Sequence, residues 1–130
     1  MAFNDQSIYK SFIASASITA FQLVKFDNAG KVTPCTASTD VPVGVSQQAV
    51  SSGDVVNVVI LGLTRVIAGE TLASGTDYFV MPGLAGKVYA YASAGAGVQI
   101  AAGRYLPNDV NTGGSNNEQI EILFSPCLGV

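Results

Sequence analysis

The seven residues VVNVVIL at positions 55–61 decide the fold class, because they form the most apolar and most β-branched stretch of the chain. Branched side chains favour extended backbone, and a run that is apolar on both faces indicates a strand buried on both sides. Gly62 follows the run and predicts a break or a β-bulge, after which residues 63–68 continue the strand. The stretch therefore predicts a central strand that packs within the domain or against another subunit.

Short apolar segments separated by Gly-rich turns extend in both directions from this strand. Residues 12–19 fit either a strand or an irregular lead-in. The remaining predicted strands are residues 21–27, 31–36, 44–50, 78–81, 87–91, 98–106 and 119–124, and the predicted turns between them include residues 27–30, 51–54, 73–76 and 82–86. Short strands at this spacing predict an all-β fold, either a small single-domain β-barrel or a β-sandwich.

The chain of 130 residues is long enough for one domain with a real core. Residues 1–11 are mostly polar and predict a flexible N-terminal arm, so the expected division is an arm over 1–11 and a single β domain over 12–130. No window of a dozen residues has helical periodicity, although one short helix fits within a connection.

The composition indicates a protein that packs against other proteins. Only 12% of the residues are charged, against about 25% in a typical soluble domain, while 48% are hydrophobic. A neutral surface costs little to desolvate, although a weakly charged monomer is the alternative. The six Lys and Arg residues are scattered and the net charge is −3, so we expect no nucleic acid partner. No apolar run reaches the ~20 residues of a membrane span, and the first ten residues do not resemble a signal peptide.

Residues that carry chemistry are scarce, and we expect no enzyme and no catalytic, cofactor-binding or metal site. The chain has no His, which excludes a Ser-His-Asp arrangement. A carboxylate pair is the alternative, and its candidates are Asp54, Glu70, Asp77, Asp109, Glu118 and Glu121. The glycine-rich residues 83–87 and 95–103 lack the spacing of phosphate-binding and dinucleotide-binding loops. Lys87 beside Tyr89 and Tyr91 is a weak nucleic-acid signal.

The two cysteines are Cys35 and Cys127, which are far apart in the sequence. In a cytosolic chain such a pair is more often reduced and buried than bridged, so we expect free thiols and keep a disulfide as the alternative. Two cysteines without a histidine do not make a zinc site.

The order of the motifs carries more information than any one of them. From residue 12 to about residue 125 the series resembles the small cement or head-decoration proteins of tailed phages. The motifs that carry the resemblance are, in order, Val24-Lys25-Phe26, the loop at 38–42, Gly44-Val45, residues 52–58 with Gly62, Ala68-Gly69-Glu70, residues 74–78, residues 103–106 and the closing strand at 120–124.

The resemblance implies a β-tulip-like homotrimer on the outer surface of an assembled phage head. There it would bind the major capsid protein and stabilise the contacts between neighbouring capsid subunits, so the expected location is the virion after assembly in the host cytoplasm. It implies no catalytic residues. The alternatives are another phage structural or adhesion module, from a tail or fibre, that binds a receptor or glycan, and a carboxylate-dependent hydrolase.

Overall fold

The computed structural model describes residues 7–72, 79–90, 100–106 and 117–128, and β-strands dominate them. The strands are β1 (Ser7–Ile13), β2 (Leu23–Phe26), β3 (Val32–Pro34), β4 (Gly44–Ser46), β5 (Val55–Ile67), β6 (Phe79–Pro82), β7 (Val88–Ala90), β8 (Ile100–Tyr105) and β9 (Gln119–Leu128). A single turn of 3-10 helix at Leu84–Gly86 precedes β7. These elements confirm the predicted all-β class.

Strand β5 is the central element, because three other strands pair with it. Its first half pairs antiparallel with β1 and, at Val58 and Val59, with β4. Its second half, from Gly62 to Ile67, pairs antiparallel with β9. Val58 and Val59 point to opposite faces and both are fully buried, which confirms burial on two sides in the middle of this strand.

A β-bulge near the middle of β5 reverses the direction of its side chains. Successive residues of β1 pair with positions 61 and 59, so that Ile60 has no partner on β1. Gly62 has a φ of 117°, which glycine adopts without strain. Before the bulge, an odd-numbered residue, Val59, pairs with a residue of the larger core. Beyond the bulge, the even-numbered residues Thr64 and Val66 pair with residues of the larger core. The strand is thus irregular in this region, but the bulge lies at Ile60, two residues before Gly62, where we expected it.

The sheet has the order β3-β2-β4-β5-β9-β8-β6-β7, with β1 on β5 outside this path. Both ends of the path return towards its middle. A parallel bridge joins Val88 in β7 to Ala68, directly after β5, and another joins Val32 in β3 to Ala14, directly after β1. The sheet therefore curls, and these bridges cover its two end strands against pairing with other chains.

The curled sheet has a hydrophobic cluster on each side. The larger core consists of Leu23, Cys35, Val45, Val66, Ala68, Leu72, Val80, Val88, Ala90, Ala102, Tyr105, Ile120, Ile122 and Phe124. The smaller core consists of Ala14, Ile18, Val24, Val32, Val56 and Val58. Strand β2 lies between them, since Leu23 belongs to the larger core and its neighbour Val24 to the smaller one.

The expected boundary between an arm and the domain at Phe12 falls inside β1. Residues 7–11, which we assigned to the arm, pair with β5 as part of a continuous seven-residue strand. The strand was missed because residues 1–11 as a whole are mostly polar and most side chains of β1 are exposed, so that the segment resembles a terminal arm. Its order comes from backbone pairing, which side-chain composition does not reveal. Residues 1–6 lie outside the described part of the chain.

Local turn chemistry positions the strands as expected. The Asp27 carboxylate accepts hydrogen bonds from the backbone N–H groups of Ala29 (2.8 Å) and Lys31 (2.9 Å), and Gly30 has a φ of 78°. Gly53 has a φ of 93° in the turn that precedes β5. Both turns need the left-handed conformation that glycine supplies. The turn predicted at 73–76 lies outside the described residues.

Candidate docking surface

A row of side chains crosses four strands on the side of the sheet that faces away from the larger core. Phe79 in β6 lies directly opposite Arg104 in β8, Arg104 lies opposite Leu123 in β9, and Leu123 lies opposite Leu63 in β5. Residues directly opposite each other in antiparallel strands share a face of the sheet. Phe79 is 52% exposed and Leu123 is 40% exposed, so the row presents apolar surface to solvent.

Two further apolar side chains extend this row at β1. Ile8 pairs directly with Leu61 of β5, and they are 54% and 45% exposed. We call the set of Ile8, Leu61, Leu63, Phe79, Arg104 and Leu123 the outer face. Single exposed apolar residues are ordinary on proteins, but a contiguous set of them is typical of an interaction site. The outer face is therefore the candidate docking surface.

A pocket of about 230 Å³ lies within the outer face. Phe79, Arg104 and Leu123 line it together with Gly103 and other short residues of β8 and β9. A Cβ atom at position 103 would lie 2.1 Å from the backbone oxygen of Leu123, so glycine is needed for β8 and β9 to approach. The close approach therefore fixes the two strands that carry Arg104 and Leu123.

The charges of the outer face are unevenly compensated. The side chain of Arg104 is exposed and makes no hydrogen bond or ion pair in the part of the chain that the structure describes. Arg65, by contrast, lies opposite Glu121 and its Nη1 atom donates to Oε1 of Gln119 at 3.4 Å. The outer face thus carries an uncompensated cation between two apolar side chains.

A second pocket of about 270 Å³ lies beside Tyr89 and the exposed Leu84. The ring of Tyr89 packs directly against backbone, since a Cβ atom at Gly69 or at Gly83 would lie 2.3 Å from ring carbons. The Lys87 Nζ atom donates to Oδ1 of Asn117 at 2.6 Å. Lys87 and Tyr89, which the sequence offered as a weak nucleic-acid signal, are thus engaged within the domain. Tyr91 lies outside the described residues.

The structure describes four of the six residues considered as catalytic candidates. Asp54 accepts from the backbone N–H of Ser51 at 3.2 Å, and Glu70 accepts from the backbone N–H of Ala90 at 2.8 Å. Glu121 lies on β9 opposite Arg65, and the backbone oxygen of Glu118 accepts from Ala68. Asp77 and Asp109 lie outside the described residues. The absence of enzymatic activity stays a prediction.

No group of three or more Asp, Glu, Cys or His side chains that could hold a metal ion occurs within residues 7–72, 79–90, 100–106 and 117–128. Likewise, none of the helices in those ranges is long and apolar enough to cross a membrane.

Cys35 is a free thiol in the larger core, as expected. Burial raises its pKa to about 12, and the nearby Asp40 carboxylate adds to the increase. The thiol is therefore protonated at neutral pH and acts as a small apolar side chain. The side chain of Cys127 lies outside the described part of the structure.

The likeness of this chain to known proteins is structural. No protein-family model and no curated protein matches the chain. Among solved structures, the fold is similar to the crystal structure of the N base of head fibre gp8.5 in bacteriophage phi29. The TM-score is 0.68 and the sequence identity is 15%, over 91% of this chain and 93% of that chain. At this identity the likeness shows a shared fold.

Proposed function

We propose that this chain is a structural protein of a tailed-phage head, a decoration or cement subunit on the outer capsid surface. In this role it binds the major capsid protein and stabilises the contacts between neighbouring capsid subunits. The observation that carries the proposal is the fold shared with a head fibre base over nine-tenths of both chains. The motif order of the sequence supports the same role independently.

The physical properties of the outer face suit such a role. The apolar row from Phe79 to Leu63 would leave water on docking, which contributes about 25 cal/mol per Å² of apolar area removed. It is built on strands with a core behind them, so little conformational entropy is lost when a partner binds. The low content of charged residues keeps the cost of desolvation small.

Assembly as a homotrimer would add avidity. A trimer that docks through three copies of the outer face makes its second and third contacts at high effective concentration. Each trimer would thereby tie several capsid subunits together and oppose the outward pressure of packaged DNA. The role requires no cofactor, metal ion or nucleic acid.

A second candidate is the base of a head fibre, which the printed name of the structural neighbour favours. Such a base would also sit on the head but would anchor a projecting shaft that binds a receptor or glycan. The two roles differ in one measurable respect. A cement protein stabilises the shell to which it binds, whereas a fibre base leaves the stability of the shell unchanged.

The test is cosedimentation of the purified protein with expanded heads that lack it, prepared from the phage that encodes it. We expect saturable binding and a higher temperature of shell disruption for the decorated heads. Saturable binding without added stability would favour the fibre base. Absence of binding to intact, expanded heads would refute a role on the head surface.

A further inference from the structure

We propose that the pocket of the outer face receives an acidic and apolar segment of the major capsid protein, with a carboxylate bound to Arg104. The inference rests on the proposed function and deepens it, since it assigns the docking site and the chemistry of the segment that fills it.

The position of Arg104 is the first step of the argument. Its two cross-strand neighbours are Phe79 and Leu123, and both are apolar. Its guanidinium has no partner among the described residues. A carboxylate that docks beside apolar neighbours meets this cation away from bulk water, where charge-assisted and bidentate hydrogen bonds are strongest. The missing half of the ion pair is therefore an acidic side chain of the partner.

No carboxylate among the described residues forms an ion pair with Arg104. Glu121 is the nearest acidic residue along β9, two positions from Leu123. Its register places it opposite Arg65 on one side, and its backbone oxygen accepts from Leu106 on the other. It lies two residue pairs further along the β8–β9 ladder than Arg104, and no ion pair joins the two side chains in the described structure.

The pocket itself is the second step. Its volume of about 230 Å³ suits one large apolar side chain, and its lining is mainly apolar. The residue that fills the pocket should therefore be aromatic or long and aliphatic, with the acidic residue close to it in the partner sequence. Such anchors that fill a pocket dominate the energetics of protein interfaces.

The charge distribution favours a protein as the occupant over a nucleic acid. The net charge is −3, and Glu121 lies near the pocket on the same face. A phosphate backbone needs several cations along its path, whereas one arginine beside an apolar pocket matches one carboxylate beside one apolar side chain.

The test compares Arg104→Glu with Lys31→Glu in cosedimentation with expanded heads that lack the protein. Both variants reverse one exposed cation, but Lys31 lies in the turn before β3, on a different part of the sheet. We expect Arg104→Glu to weaken binding by about thirtyfold or more and Lys31→Glu to change it by about twofold or less. Both variants should melt like the parent protein, because neither side chain is buried.

Equal binding of Arg104→Glu and the parent would overturn the inference and leave the proposed function intact. Failure of the parent to bind would instead overturn the proposed function. A photo-crosslinking amino acid in place of Ser125, at the rim of the pocket, identifies the occupant by mass spectrometry. The expected product is a capsid peptide with an acidic residue near an apolar one. A capsid peptide without an acidic residue, or a peptide of this chain, would contradict the proposal.

Discussion

Val58→Asp tests the placement of the central strand. Val58 is fully buried in the smaller core, where the packed residues are apolar and where no described charged residue belongs to the cluster. An aspartate at this position would have no partner for its charge. It would have to ionise in an apolar environment or stay protonated with its polar atoms unsatisfied.

The expected cost follows from two contributions. Loss of the buried valine side chain lowers the free energy of unfolding by about 1.5–3 kcal/mol. Burial of a polar group without hydrogen bonds adds about 1–3 kcal/mol on the scale of protein mutations, and an ionised carboxylate costs more. The sum of about 2.5–6 kcal/mol is a large part of the total stability of many domains, which is about 5–15 kcal/mol. The variant should therefore be largely unfolded or lose most of its resistance to urea.

The control is Val55→Asp, which introduces the same side chain in the same strand at a position that is 59% exposed. Urea unfolding followed by circular dichroism should show Val55→Asp within about 0.5 kcal/mol of the parent. A Val58→Asp protein with the urea midpoint of Val55→Asp would show that position 58 does not lie in a core.

Three further predictions concern the interior and the loops. Gly103→Ala should lower the free energy of unfolding by about 1–3 kcal/mol, because the added Cβ meets a backbone oxygen of β9. The control Ser125→Ala, on the exposed rim of the pocket, should leave the free energy of unfolding almost unchanged. An unchanged urea midpoint for Gly103→Ala would contradict the close approach of β8 and β9. Partial burial alone would raise the pKa of Asp40, but hydrogen bonds from backbone N–H groups and from Lys25 outweigh this effect and lower the pKa. The ionised Asp40 therefore stabilises the folded protein at pH values above the ordinary carboxyl pKa, and this stabilisation is lost as the pH falls through the lowered pKa. The melting temperature of the parent should accordingly exceed that of Asp40→Asn at about pH 7 and approach it near about pH 3, whereas a difference that grows on acidification would reverse the sign. In a Cys127→Ser background, Cys35 should resist a thiol reagent at neutral pH until the protein is unfolded, because its pKa is about 12, and rapid labelling of the native protein would refute its burial.

The sequence predicts best where local chemistry alone determines the structure. The β-branched run at 55–61 and Gly62 predict a central strand with an irregularity, and both are present in β5. The turn at Asp27 follows from an acceptor side chain and a glycine three residues later, Gly30. In these places propensity, turn chemistry and burial favour the same conformation.

The rest depends on long-range contacts that composition does not show. Strand β9 was predicted to end at Phe124 and instead continues to Leu128. Its register shows why Pro126 is tolerated: Ala101 pairs with Cys127 and Gly103 with Phe124, so two residues of β9 oppose one of β8. Proline is acceptable at such a bulge, where a ladder hydrogen bond is already lost.

The outer face was missed for a related reason. In the closing strand, the apolar residues Ile122 and Phe124 alternate with outward-facing residues, and Leu123 is one of these. An apolar residue among outward-facing polar ones was the available signal of an exposed apolar surface. The sequence did not show that Phe79 and Arg104 lie beside Leu123. Those neighbours come from the pairing of β8 with both β9 and β6 and from the registers of the two pairs, which the sequence does not reveal.

The most direct measurement is cryo-electron microscopy of the phage that encodes this chain, compared with particles in which its gene is deleted. The account predicts a β-rich density on the outer surface of the head, with the outer face against the major capsid protein, that disappears in the deletion particles. Density for the chain at the tail, or head surfaces that are identical in both particles, would contradict the account.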